Sequence, residues 1–360
     1  MKKLFRFIGY LSIFIVLFLV TVILAARFTS LQPEDVSEEK VSCPSDTPSL
    51  EAGKEYKVLD WNVQYLAGKN YVFFYDLPKG DGPDKRPSTK DIQITAEEIA
   101  RIIKDEKPDI ILLQEVDDGA KRTDYEDQLE KLLKLFPEDY KCHASAFYWK
   151  NYYNPHPMIQ GSTGMKVSTI SRYKISSATR YQLPIIPDNF FVKNFNLKRA
   201  VLETKLPLQN GKILSVFNTH LDAFAQGYNT MEEQVLFLKK LLTNADSKKQ
   251  PWILAGDFNL LPPGFNRESL HKDSISYYNP KTELDILFNS FPSTVSKEEL
   301  NGENKKAYYT ILPNHPEITV PDRTIDYIFY GNIEKRSYSV RQKDTLTISD
   351  HLPLIAEFQF

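Results

Sequence analysis

Six short segments place an acid, amide or imidazole side chain at or beside the end of an apolar run. In chain order they carry Asn62, Gln114 with Glu115, His220 with Asp222, Asp257 with Asn259, Asp326, and Asp350 with His351. Burying one such group without a partner costs on the order of several kcal/mol. The six are far cheaper to fold if they converge on one cation-binding cleft. Singly, each has an ordinary explanation: an Asn or Glu can form a turn, a His can be a hydrogen-bonded structural group, and Asp257-Phe258-Asn259 can be an Asx turn. Together they suit phosphate-ester hydrolysis. Oxygen donors, with no Cys/His cluster, point to a hard cation, Mg²⁺ or Mn²⁺, and not to structural zinc. Such a cation neutralises phosphoryl charge while an imidazole held by a carboxylate takes a proton from water. The phosphate-binding pattern G-x-x-x-x-G-K-[ST] and the serine-esterase pattern G-x-S-x-G are both absent from the sequence.

The elements that must position these groups are short. YKVLDWNV, DIILLQEV, KVSTISRY, AVLETKLPL, ILSVFNTHL, WILAGDF, TIDYIFYG and LIAEFQF read as strands by length, β-branched content and flanking turn residues. Thr95-Ala96-Glu97-Glu98 reads as a capping box opening a helix with Ile99, Ile102 and Ile103 on one face and Pro108 beyond it. Thr230-Met231-Glu232-Glu233 repeats the pattern ahead of Val235, Leu238, Leu241 and Leu242. Sheets covered by helices follow, as a two-sheet sandwich or a doubly wound sheet; periodicity leaves both open.

The ordered series WNVQ, LLQEV, NTHLD, GDFN, TIDYIF and SDHLP resembles the endonuclease/exonuclease/phosphatase superfamily over Tyr56 to Phe360. That group includes pancreatic-type deoxyribonucleases, abasic-site endonucleases and neutral sphingomyelinases. The resemblance implies a four-layered α/β sandwich and a divalent-metal-dependent phosphodiesterase. It implies Asn62 and Glu115 as metal holders, with Asp350 completing or supporting the site. It also implies His351 as general base and Asp326 as the carboxylate that orients it. Asp257 and Asn259 would position water and the scissile phosphate, and His220 would stabilise the transition state. Asp222 receives no role. Nothing inert replaces a motif residue, which argues against a non-catalytic binding module.

The 360 residues, 42% apolar and 26% charged, have the composition of a globular protein. A net charge of −2 gives no sign of a polyanion binder, so any nucleic-acid contact would need a local basic patch. Residues 7–26 run without a formal charge; at ~1.5 Å per residue they would span ~30 Å as a helix, the thickness of a bilayer core. Lys2, Lys3 and Arg6 precede the run and Glu34, Asp35, Glu38 and Glu39 follow. By the positive-inside bias, residues 1–6 are a cytoplasmic stub, 7–26 an uncleaved anchor rather than a signal peptide, and the remainder lies outside the cytoplasm. Residues 27–54 read as a disordered linker and 55–360 as one catalytic domain. Cys43 and Cys142 are either free thiols or a disulfide.

Members of the superfamily act on DNA, RNA, sphingomyelin, inositol phosphates and nucleotides. Leu260-Leu261-Pro262 after Asp257-Phe258-Asn259, and Val320-Pro321-Asp322-Arg323 without a Trp-Cys pair, depart from the inositol-phosphatase pattern. The anchor and two aromatic clusters in expected loops, Tyr71–Tyr75 and Phe147–Trp149 with Tyr152-Tyr153, favour a phospholipid or sphingolipid head group. The alternative is an extracytoplasmic nuclease, with the aromatics stacking on bases or simply filling the core. No protein partner is inferable.

Overall fold

All eight expected strands form, and their alternating side chains divide between two faces. The computed structural model describes residues 2–223 and 227–360. Its first strands are β1 (Val36–Glu39), β2 (Val41–Ser42), β3 (Glu55–Asn62), β4 (Ile110–Asp117), β5 (Cys142–Asn154), β6 (Gly161–Ser171) and β7 (Ser177–Gln182). They are followed by β8 (Ala200–Pro207), β9 (Ile213–His220), β10 (Trp252–Asp257), β11 (Asp326–Gly331), β12 (Glu334–Val340) and β13 (Leu354–Gln359). The main helices are α1 (Lys2–Phe28), α2 (Thr89–Glu106), α3 (Gln128–Leu135), α4 (Phe190–Phe195) and α5 (Thr230–Ser247).

One sheet has the order β1-β7-β8-β9-β10-β11 and the other β12-β13-β3-β4-β6-β5-β2. Val58, Ile110, Leu112, Ile253, Ala255 and Leu354 point inward and pack the sheets face to face. The alternate residues Leu59, Trp61, Ile111 and Leu113 meet Ile92, Ala96, Ile99 and Ile103 of α2. On the far side Phe217, Leu254 and Phe329 meet Val235, Leu238 and Leu242 of α5. Helix, sheet, sheet and helix make a four-layered α/β sandwich, the resolution of the two architectures that periodicity left open.

Strand direction collects the chemistry at one end. β3 and β4 are parallel with Asn62 opposite Gln114, and β9 and β10 are parallel with His220 opposite Asp257. Antiparallel β11 begins with Asp326 opposite Asp257. Gly256 is what lets β10 lie so close to β9: a Cβ there would sit 1.9 Å from the Thr219 carbonyl oxygen.

Several expectations are corrected. The helix expected to open at Thr95 opens at Thr89. Ser88 Oγ accepts the Asp91 amide at 3.0 Å, and Thr95 is buried mid-helix. Residues 27–54 do not form a free linker. β1 pairs with β7, β2 pairs with β5, Leu50 is fully buried, and Cys43 is disulfide-bonded to Cys142, 99 residues away. Edge strands that bury little have no apolar period to read, so backbone pairing and the covalent link order this segment. The second aromatic cluster lies on β5, not in a loop, and Tyr148 is buried; in the first, Phe73 is buried in the core.

α1, with most of its described apolar side chains exposed, is the one helix among the described residues long and apolar enough to cross a bilayer. Met1 of the expected stub lies outside the described residues.

Candidate active site

A polar network beneath the site joins two motif residues, Gln114 and Asn218, to Asp60 on β3. Gln114 Nε2 donates to Asp60 Oδ1 and to Asn218 Oδ1, both at 2.8 Å, linking the two sheets through the core. Asn218 Nδ2 in turn donates to the Leu113 and Ser168 carbonyls. Burial, then the charge of Asp326, holds the Asp60 carboxyl well above the usual carboxylate range. Asp60 Oδ2 and Gln114 Oε1 have no hydrogen-bond partner among the described residues, so the network ties the two sheets together while leaving two of its buried acceptors unpaired.

Above this network the chain bends Glu115 out of the sheet. The β4–β6 register shifts between Leu113 and Val116, and Glu115 adopts φ +56°, an uncommon value for a residue other than glycine. A β-bulge re-aims a side chain, and here it turns the carboxylate toward Asn62, whose Nδ2 donates to Glu115 Oε1 at 3.1 Å. The same Nδ2 donates to Asp257 Oδ2 at 3.1 Å. Asn62 is held from its other end, its Oδ1 accepting the Gln64 amide at 3.0 Å.

Asp257 is the hub. Its Oδ1 accepts the Asn259 amide at 2.9 Å, while Oδ2 lies 3.3 Å from His220 Nε2 and 3.5 Å from His351 Nε2. Burial, reinforced by Asp326 and opposed by His351, pushes its carboxyl up to about 7. His351 Nδ1 lies 2.9 Å from both carboxylate oxygens of Asp326. The His351 backbone is fixed as well, its carbonyl accepting Trp61 Nε1 at 2.8 Å. Burial would lower the His351 imidazole, but the charges of Asp326, Asp257 and Asp350 outweigh it and hold it well above the ordinary histidine range.

His220 is the opposite case. Burial, then Arg199 and His351, depress it well below the usual value, so it is neutral. Tyr148 Oη lies 3.3 Å from its Nδ1, and Asn259 Nδ2 lies 3.1 Å from its Nε2. Asp350 lines the same cleft; burial first and the charge of Asp350 second raise Glu115. Every site residue expected from sequence thus lies in one place. Asp257, Asp326 and His351 bring one potential ligand atom each within 4.8 Å of one another.

The sequence reading missed two arginines. Arg199 lies directly ahead of β8, its Nε 3.3 Å from Asp222 Oδ1 and its guanidinium 5.0 Å from the Tyr148 ring centroid. Asp222 also accepts from Gln234 Nε2 at 2.7 Å, so its role is to hold Arg199 in place. Arg199 Nη1 is buried without a protein partner among the described residues, and Arg199 lines the cleft. Arg122 forks onto Asp117 at 2.7 and 2.9 Å with its guanidinium 3.4 Å above Tyr65. A lone arginine carries no spacing signal, which is why neither stood out.

The cleft encloses about 1060 Å³ and runs from Glu115, Asp257 and His351 to an outer wall of Trp149, Met158, Ile159, Val192 and Phe195. Glu115, Asp257 and Asp350 line the cleft, with Asp326 behind His351, whereas Arg122 and Arg199 are already paired. That concentration of carboxylate and amide oxygen donors around the cleft fits a hard divalent cation.

A family model described as the Endonuclease/Exonuclease/phosphatase family matches residues 61–351. The inositol phosphosphingolipids phospholipase C of Schizosaccharomyces pombe is 32% identical over 106 residues, covering 28% of this chain. The match spans only 25% of that relative's length. Among solved structures, an endonuclease/exonuclease/phosphatase from Beutenbergia cavernae superposes with a TM-score of 0.59 at 20% identity, over 85% of this chain and 72% of its own. The human Nocturnin catalytic domain with bound sulfate anion gives 0.53 at 19% identity, over 89% and 97%. These two likenesses bear on the fold alone.

Proposed function

We propose that this chain, which belongs to the endonuclease/exonuclease/phosphatase family, is a metal-dependent phosphodiesterase acting on a phospholipid or sphingolipid head group at a membrane. The observation that carries the reading is the His351–Asp326 pair beside Asp257, on the floor of a cleft whose outer wall is apolar. The partial likeness to a sphingolipid phospholipase C and the apolar α1 support a lipid substrate. The Cys43–Cys142 disulfide supports an oxidising, extracytoplasmic compartment.

Glu115 with Asn62, assisted by Asp350, would hold Mg²⁺ or Mn²⁺, which supplies positive charge to the phosphoryl oxygens. The chain's own residues do the rest. Asp326 holds Nδ1–H of His351, so that the deprotonated ring, favoured as pH rises, has Nε2 free to take a proton from water. The water oxygen forms the new bond to phosphorus as the bond to the leaving oxygen breaks. Asp257 and Asn259 position water and phosphate. Neutral His220, with Nδ1 facing Tyr148, presents its Nε2 toward this centre, and Arg199 Nη1 offers a further donor from the cleft wall. Donors already in place where charge develops contribute roughly a few kcal/mol each.

The test offers the full chain vesicles of phosphatidylcholine with sphingomyelin or an inositol phosphosphingolipid, beside a supercoiled plasmid, in Mg²⁺ and then EDTA. Metal-dependent release of a phosphorylated head group is expected. Plasmid nicking alone would replace the lipid reading with the nuclease one.

A further inference from the structure

The anchor and the cleft are not joined by slack chain. Tyr152 of β5 donates its amide to the Thr29 carbonyl at 2.7 Å, and the Leu31 amide donates to the Lys150 carbonyl at 2.7 Å, with Ser30 bridged to Asn151 between them. Gln32 Nε2 reaches Asn194 Oδ1 of α4 at 2.9 Å. α4 is tied to the end of β5 in turn. The Phe195 carbonyl accepts from Trp149 Nε1 at 2.8 Å, Asn151 Nδ2 at 3.2 Å and Asn154 Nδ2 at 3.3 Å. Trp149, Asn154, Val192 and Phe195 line the cleft. The residues that receive the end of α1 are therefore neighbours of those that build the cleft's outer wall.

We propose that this wall, formed by the end of β5, the turn over residues 155–160 and α4, rests on the surface of a lipid bilayer, so that the cleft opens there. The geometry leaves little choice if α1 crosses a membrane. α1 ends at Phe28, and Tyr152 is hydrogen-bonded to the next residue, which places its backbone within a few ångströms of the helix end. The side chains there suit that depth. Tyr152 is 78% exposed, Tyr153 53%, Phe190 42% and Val192 41%. Tyr, with an apolar ring and a polar tip, partitions to the headgroup boundary. Lys150 and Lys193, both exposed, flank the patch and match anionic headgroups. Beyond the proposed lipid substrate, the inference gives the cleft an orientation and a docking face. It stands on α1 and the β5/α4 patch, not on which ester is cut.

The experiment reconstitutes the full chain in proteoliposomes and replaces Tyr152 with Trp. Lipids brominated near the headgroup then quench its emission, read as the difference from the parent chain. Val320→Trp, at an exposed position outside the patch, serves as comparison. Loss of emission at 152 but not at 320 is expected. Equal quenching at both positions, or none at 152, overturns the proposal. A second variant, Tyr152→Ser/Tyr153→Ser, at exposed positions outside the cleft lining, is expected to lose hydrolysis of vesicle lipid while keeping that of a soluble diester; equal loss on both overturns the proposal. Quenching at 152 in a chain that cuts no lipid supports the surface while refuting the substrate. Vesicle hydrolysis with residue 152 unquenched refutes the surface alone.

Discussion

Replacing Asp326 with Asn keeps the shape of the side chain and removes its charge, so it isolates what the carboxylate does for His351. Both Asp326 oxygens stand 2.9 Å from His351 Nδ1, so the carboxylate accepts Nδ1–H, fixes the tautomer and favours imidazolium in the transition state. An amide can present its NH₂ to Nδ1 and select the wrong tautomer. General-base catalysis contributes roughly 10²–10⁴-fold, so kcat should fall by about that factor, ~3–5 kcal/mol at ~1.4 kcal/mol per decade. The pH dependence has a definite sign. Burial lowers the His351 imidazole, and Asp326, Asp257 and Asp350 together raise it further than burial lowers it. Removing one of those charges lowers it. The acid limb of the kcat profile, below which the base is protonated, should move to lower pH even as the plateau drops. In metal-free protein the raised His351 adds stability that is present below the unfolded value of 6.5 and lost as pH rises through the folded value. Asp326→Asn should reduce that contribution. The assay is initial rate on a soluble diester at saturating Mg²⁺, from pH 5 to 9, with urea melts in EDTA. Near-native turnover, or an acid limb that moves to higher pH, would refute the assignment.

Other outcomes follow from the same geometry. His351→Ala and Asp257→Ala should each lower kcat by several orders of magnitude in the same rate assay, with the fold retained by circular dichroism. Asp222→Ala strands the Arg199 charge in a buried site and should cost about 3–5 kcal/mol in urea denaturation; adding Arg199→Met should recover much of that stability but not activity. Gly256→Ala drives a Cβ to 1.9 Å from the Thr219 carbonyl and should cost more than about 2 kcal/mol, read as a lower thermal midpoint. Reducing the Cys43–Cys142 link, or Cys43→Ser/Cys142→Ser, should cost about 2–4 kcal/mol by releasing a loop closed across 99 residues. Chelation by EDTA should abolish turnover, with recovery on adding Mg²⁺ or Mn²⁺.

The central strands and the order of their polar ends were legible because buried strands need unbroken apolar runs, and a polar residue at such an end stands out. Asn62, His220, Asp257 and Asp326 all lie at strand ends that the fold brings together. The edges were not legible. β12 alternates exposed and half-buried residues, and β1 and β2 are held by neighbours remote in sequence, so neither carries a local signal. The start of α2 was misplaced because Ser88 and Thr95 offer rival caps, and packing of Ile92 in the core decides between them.

Within the site, residue types raised the expectation of a hard cation and acid–base chemistry, since a shared cleft makes six polar strand ends cheaper to bury. Tertiary structure alone separated the members buried between the sheets from those that line the cleft. Gln114 and Asn218 lie inside the sandwich, whereas Glu115 is turned out by a bulge that depends on β6. It alone revealed that Asp222 steadies Arg199, a contact across 23 residues. A sequence states which groups are present and how often they recur. Which of them face each other, and how far burial shifts their protonation, depends on packing between segments that no local pattern encodes.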